Sequence, residues 1–132
     1  MPLAVRPCTP ADLPRAVDVE KAAFASDPFS SLLFPGPFPD GALEFRVQDM
    51  AAQLADDPTT RWLKVVNTDH SGVEAENGIA FAKWHLYKDK APGPQQPAKF
   101  GPGCNIEACE MLFGGLARQR ERNIGQMKCV CK

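Results

Sequence analysis

Residues 61–67, Arg61-Trp62-Leu63-Lys64-Val65-Val66-Asn67, and residues 79–87, Ile79-Ala80-Phe81-Ala82-Lys83-Trp84-His85-Leu86-Tyr87, decide the fold. The first run is rich in side chains that favour strands. In the second, Ile79, Phe81, Lys83, His85 and Tyr87 alternate with Ala80, Ala82, Trp84 and Leu86. That period of two is the signature of a strand. The segment between them, residues 68–77, is largely polar and contains Gly72. Two such runs around a polar loop predict an antiparallel pair.

The elements before the pair read as follows. Leu3-Ala4-Val5-Arg6 alternates and predicts a short strand, ended by Pro7 and Thr9-Pro10. Thr9 is placed to cap a helix, with Pro10 at its first position and Asp12 three residues on, close to a capping box. Leu13, Ala16, Val17 and Phe24 then mark one face of a helix to about Ala25. In residues 27–41, Pro28, Pro35, Pro37 and Pro39 interleave with Phe29, Leu32, Leu33, Phe34 and Phe38. The prolines exclude a long helix, and the aromatics call for burial, so an ordered loop or short helical turn is expected. Asp40 is the expected cap of a second helix. Its stripe is Leu43, Val47, Met50 and Leu54, and Asp56-Asp57-Pro58 ends it.

After the strand pair, residues 88–105 form a long Pro/Gly-rich loop. A third helix is predicted from Cys109, Leu112, Phe113 and Leu116, running into Arg118, Arg120 and Arg122 and stopping at Gly125. Met127 to Lys132 reads as the opening of a fourth strand. The order is β-α-α-β-β-α-β, the last a stub. This is an α+β domain across residues 1–132, with a mostly antiparallel sheet and three helices. A sheet ending on such a stub presents an unpaired edge.

Composition narrows the function. The 132 residues carry 15 Lys plus Arg against 16 Asp plus Glu, a net charge of −1. That balance argues against nucleic acid as a partner, which needs a clustered basic face. No apolar run is long enough to span a bilayer, so no membrane partner is expected. Met1-Pro2-Leu3-Ala4-Val5-Arg6 lacks the basic-then-apolar pattern of a secretory signal. Together with 5 cysteines, an odd number, this points to reduced thiols and a cytoplasmic location. Cys8, Cys104, Cys109, Cys129 and Cys131 form no Cys-x-x-Cys pair, and neither His70 nor His85 lies at zinc-finger spacing, so no metal is expected.

Several strings resemble the GNAT family of N-acetyltransferases, in its filamentous-fungal branch. They are Leu3-Ala4-Val5-Arg6-Pro7-Cys8-Thr9-Pro10-Ala11-Asp12, Ala23-Phe24-Ala25-Ser26-Asp27-Pro28-Phe29, Gly78-Ile79-Ala80-Phe81-Ala82-Lys83-Trp84 and the helix Met111 to Arg120. The resemblance spans nearly the whole chain and implies a partial GNAT-like fold. The family follows its fourth strand with a Gln/Arg-x-x-Gly-x-Gly/Ala loop. Backbone N–H groups there, at a helix N-terminus, cradle the pyrophosphate of acetyl-CoA. No such loop follows a strand here; Gly101-Pro102-Gly103 follows none, and its proline supplies no N–H. The resemblance therefore implies an N-terminal, substrate-side part of an acetyltransferase, truncated before the loop. Acetyl-CoA is the co-substrate of intact relatives and is not expected to bind this chain. The chain is not expected to be catalytically competent alone.

Acyl transfer to an amine requires that an ammonium group lose a proton. Glu20, Asp27 and Glu44 flank the Phe29–Phe38 loop, which the resemblance places at the acceptor site; capping and solvation are their competing roles. The candidate substrate-binding set is Glu20, Asp27, Phe29, Phe34, Phe38, Trp84 and His85, for a small-molecule amine. His85 lacks a visible catalytic partner in the sequence. The rival expectations are a non-catalytic interaction or regulatory protein, dimerising through its open edge strand, and a non-functional gene fragment.

Overall fold

The computed structural model describes residues 2–69, 77–89, 100–125 and 129–131. His70 and most of the loops at 68–77 and 88–105 lie outside that range. The fold is α+β with an antiparallel sheet. The chain forms two compact units.

One unit comprises Met1–Ala23, Gly41–Leu86 and Val130–Lys132. Its sheet has the order β1-β2-β3-β4, with β1 at Leu3–Pro7, β2 at Thr60–Asn67, β3 at Gly78–Tyr87 and β4 at Cys129–Cys131. Leu3 pairs with Asn67 and Pro7 with Leu63; Thr60 pairs with His85 and Val65 with Ala80. Val66 then pairs with Gly78, so Ile79 is the extra residue of a bulge. Directly paired residues share a sheet face. Thr60, Trp62, Lys64 and Val66 therefore lie on the same face as His85, Lys83 and Phe81. Thr60, Lys64 and Val66 are buried. The opposite face carries Leu3 and Val5, which are exposed.

Helices α1 (Leu13–Ala23) and α3 (Ala42–Asp56) pack on each other in this unit. The core joins Cys8, Leu13, Ala16, Val17 and Met50, with Val47, Ala51, Trp62 and Phe81 against it. A 3₁₀ turn, Pro10–Asp12, leads into α1. Asp12 reaches back as the capping-box spacing predicts: Thr9 donates to its Oδ2 from both N–H and Oγ1, each at 2.8 Å. Helix α1 stops at Ala23, short of Ala25, and Phe24 is exposed rather than part of the stripe. Asp40 does not cap α3. Gly41 holds the N-cap with φ of 80° and no side-chain cap bond. That left-handed backbone is open to glycine at little cost, and it lets the Gly41 carbonyl accept from Phe45 N–H at 2.9 Å.

The other unit comprises Phe24–Asp40 and Tyr87–Cys129. The proline-aromatic segment contains a short helix, α2 (Pro28–Leu33), so the chain has more than the three helices expected. The expected third helix is α4 (Ile106–Cys109), one π turn (Glu110–Gly114) and α5 (Gly115–Asn123). Cys109 is fully buried and its thiol donates to the Leu33 carbonyl at 3.4 Å. The rest of the predicted stripe is not buried: Leu112, Phe113 and Leu116 are 38%, 37% and 54% exposed. The π turn explains part of this, because it widens the helical repeat and shifts the residues after Cys109 off its face. Gly103 is required where it stands. Its φ is +88°, and a Cβ there would lie 2.7 Å from the Phe38 ring and 2.8 Å from the Pro37 carbonyl.

Burial, not the periodic pattern, then ranks the stability effects. Met50→Ala, in the core, is expected to cost ~2–5 kcal/mol. Leu116→Ala, on an exposed face, should stay within about 0.5 kcal/mol. Urea unfolding followed by circular dichroism measures both.

Candidate functional site

The segment that joins α3 to β2 is Asp57-Pro58-Thr59-Thr60. The Pro58 ring lacks an N–H and cannot continue the helix, and the chain turns back on Asp57. The Asp57 carboxylate accepts Thr59 N–H at 2.8 Å and Thr59 Oγ1 at 2.7 Å on Oδ1, and Thr60 Oγ1 at 2.8 Å on Oδ2. The β2–β3 register sets His85 directly opposite Thr60. His85 Nδ1 lies 3.3 Å from Thr60 Oγ1, 3.4 Å from Thr59 Oγ1 and 3.5 Å from Asp57 Oδ2. The imidazole is 21% exposed and the Asp57 side chain 37%.

Asp57 is held at about 2, well below the usual carboxylate range. The Thr59 hydroxyl is the largest cause. Partial burial opposes it, and the Thr60 hydroxyl, the Thr59 N–H and His85 reinforce it. The carboxylate is therefore ionised at neutral pH and faces the imidazole as an anion. A carboxylate beside an imidazole is an arrangement suited to taking up a proton, since the imidazolium formed is stabilised by the charge next to it.

Lys83 occupies the same sheet face two residues away. Burial, and Arg46 after it, pull its ammonium below the ordinary lysine value, against the opposing pull of Asp57 and Asp49. Its Nζ donates to Gln53 Oε1 and lies 5.8 Å from the centroid of the Trp62 ring.

A second cluster in this unit is structural. Lys64 Nζ donates to Asp12 Oδ1 at 2.7 Å, and both side chains are largely shielded from solvent. The Cys8 thiol beside them is pushed up to about 11 by burial and by Asp12, with Lys64 opposing. It is protonated at neutral pH and is not a nucleophile. Burial also raises the Cys109 thiol, with Cys104 adding to the effect. Among the described residues, no three His, Cys, Asp or Glu side chains group to hold a metal, and no helix is long and apolar enough to cross a membrane.

The residues singled out in the sequence divide between the units. Glu20, Trp84 and His85 fall in the first, and Asp27, Phe29, Phe34 and Phe38 in the second. Glu20 pairs with Arg46 Nη2 at 3.1 Å. Asp27 caps α2, accepting Phe29 N–H at 2.9 Å. Phe29, Phe34 and Phe38 are exposed rather than buried as expected; Leu33 fills the interior instead. Trp84 pairs with Arg61, on the sheet face opposite His85. Glu44 lines a groove of about 360 Å³ between α1 and α3 together with Asp18, Val17, Leu43 and Val47. Arg118 and Arg122 are exposed, as a solvated helix end requires, but Arg120 is half-buried, 5.7 Å over the Tyr87 ring.

Asp57, Thr59 and Thr60 are the residues that sequence reasoning missed. The only local signal was Asp57-Pro58, read as a helix stop. The contact with His85 spans 25 to 28 positions in sequence and appears only when the strand register is known.

Neither the models of protein families nor the curated proteins include a match to this sequence. Among solved structures, one described as histone acetyltransferase HPA2 and related acetyltransferase from Corynebacterium glutamicum is similar. It is 22% identical, with 89% of this chain and 72% of that chain covered, at a TM-score of 0.43. At that identity and score the likeness carries no argument about activity.

Asp57 also sets a pH dependence. Its pKa is lower folded than unfolded, so the stability it contributes is present above the unfolded value, near 4, and is lost as pH falls through about 2. Urea midpoints measured from pH 6 down to pH 2 should fall over that window, and Asp57→Asn should flatten the fall. An unchanged profile in the variant would show that Asp57 is not the group responsible.

Proposed function

We propose that the chain forms the amine side of a GNAT-type N-acetyltransferase, which moves an acetyl group from acetyl-CoA to a small amine. The observation that carries this reading is the Asp57–His85 pair, a partly accessible imidazole with an anion 3.5 Å away. An ammonium acceptor must lose a proton before it can attack a thioester, and this pair can receive it. The resemblance of the Leu3–Asp12, Ala23–Phe29, Gly78–Trp84 and Met111–Arg120 strings to that family supports the acyl-transfer half of the reading. Acetyl-CoA supplies the acetyl group. The string Gln/Arg-x-x-Gly-x-Gly/Ala, which would cradle its pyrophosphate, does not occur in the 132 residues, and this reading assigns no cradle to them.

Two measurements test the reading. Titration calorimetry of the 132-residue chain with acetyl-CoA should show no binding tighter than about 1 mM, near −4 kcal/mol; micromolar binding would overturn the placement of the cradle. In a form of the protein that acetylates amines, His85→Gln should lower kcat/KM by about 10²–10⁴-fold.

The position of β4 at one end of the sheet order favours a second reading, in which the edge pairs with another copy of the chain. Size exclusion at several concentrations tests it: a chain that stays monomeric overturns this reading.

A further inference from the structure

Residues 106–123 are continuously helical through α4, the π turn and α5. Their charge changes sign from one end to the other. Glu107 and Glu110 stand near the start, Arg118 and Arg122 near the end. All four side chains are exposed. Among the described residues, none of the four has an ion pair or a side-chain hydrogen bond. The acids find no partner along their own helix, because the positions three and four away from Glu107 and Glu110 hold no basic residue. Glu107 and Arg122 stand ~20 Å apart along the axis, at about 1.5 Å per residue, well beyond the screening length. Between the charged ends, Met111, Leu112 and Leu116 are 71%, 38% and 54% exposed. Phe113 is occupied by a stack on Phe100, with centroids 5.7 Å apart. Gly114-Gly115 marks the midpoint. Outside the helix backbone, a Cβ built on Gly114 would meet only the Arg118 guanidinium, at 3.3 Å.

We propose that this helix pairs antiparallel with the same helix of a second copy of the chain, the two crossing at Gly114-Gly115. A two-fold axis there sets Glu107 of each copy at the level of Arg122 of the other, and Glu110 within one residue of Arg118. One operation meets both acids and both arginines of each copy. A parallel pair would set acid against acid and arginine against arginine, so charge fixes the direction. The glycines let the backbones approach closely at the crossing, where the side chains in contact set an axial separation of about 8–10 Å. Met111, Leu112 and Leu116 flank the crossing and are withdrawn from water by it. The pairing does not use the acyl-transfer reading, and its surface is not the β4 edge.

Sedimentation equilibrium of the 132-residue chain, over concentrations up to about 1 mM, where weak complexes still form, tests the pairing. The parent chain should show a monomer–dimer equilibrium. Glu107→Arg and Arg122→Glu, made separately, should each raise its dissociation constant by about tenfold, since the two-fold contact turns two attractive surface pairs into two repulsive ones. The first variant carries arginine at both positions and the second carries glutamate at both. Their mixed dimer therefore has two attractive pairs, and an equimolar mixture should recover dimerisation. Recovery also shows that both variants are folded, so loss in the single variants is not loss of structure. A parent chain that stays monomeric overturns the proposal. So does a dimer that neither reversal weakens, which is the result expected of pairing through β4, and so does weakening without recovery in the mixture. None of these readings uses acetyl-CoA, so a failure of the acyl-transfer reading is distinguishable from a failure of the pairing.

Discussion

The ion pair between Lys64 and Asp12 is the constraint on which the first unit depends. Lys64 lies in the middle of β2, between Trp62 and Val66 on its sheet face and directly opposite Phe81. A cation there is costly unless its charge is met at short range. Asp12 meets it at 2.7 Å. The same carboxylate receives both donors of Thr9 through its other oxygen. One side chain thus joins the end of β1, the start of α1 and the middle of β2. Burial alone would raise the Asp12 pKa; the bonds from Lys64 and Thr9 outweigh it and keep the carboxyl below its ordinary value. The cost of placing charge under the helices is offset by fixing where α1 begins. That in turn directs Leu13, Ala16 and Val17 onto Met50.

Much of this architecture was legible before any coordinates. The alternation at 79–87 and the Thr9-Pro10-Ala11-Asp12 start each reflect local chemistry, and each appears where expected. The α3 stripe is present in part: Met50 is buried and Val47 and Leu54 are half-buried, whereas Leu43 is exposed. The misreadings share a cause. Phe24, Leu112, Phe113 and Leu116 satisfy a helical period but are exposed, because periodicity describes a face and does not say whether anything covers it. Asp40 is a good cap by residue type, yet Gly41 takes the position, because a left-handed turn was needed there. The aromatic-proline segment called for burial on hydrophobicity; the structure buries Leu33 and leaves the phenylalanine rings out.

The site was legible only in part, for a reason of distance along the chain. His85 could be named from the sequence, and its strand could be predicted. Its partners could not. Asp57, Thr59 and Thr60 carry ordinary local signals of a helix end, a turn and a strand start. They become a site because antiparallel pairing sets Thr60 against His85. Glu20 and Asp27, by contrast, were chosen for their charge near a loop. Their bonds in the structure are to Arg46 and to the α2 N-terminus, the ordinary uses of surface carboxylates.

The bulge at Val65 and Val66 has a consequence for how the chain can vary over evolutionary time. It lies at the turn end of the β2–β3 hairpin, and from Val65 to Thr60 the pairing runs without interruption to His85. A one-residue slip in the pairing would reverse the facing of every side chain beyond it. A bulge is where the ladder already tolerates one unmatched residue. A residue gained or lost within the strands at this end can be absorbed there, while Thr60 and His85 stay opposed. The hairpin is divided into an end that can accept insertions and deletions and an end that must keep its register.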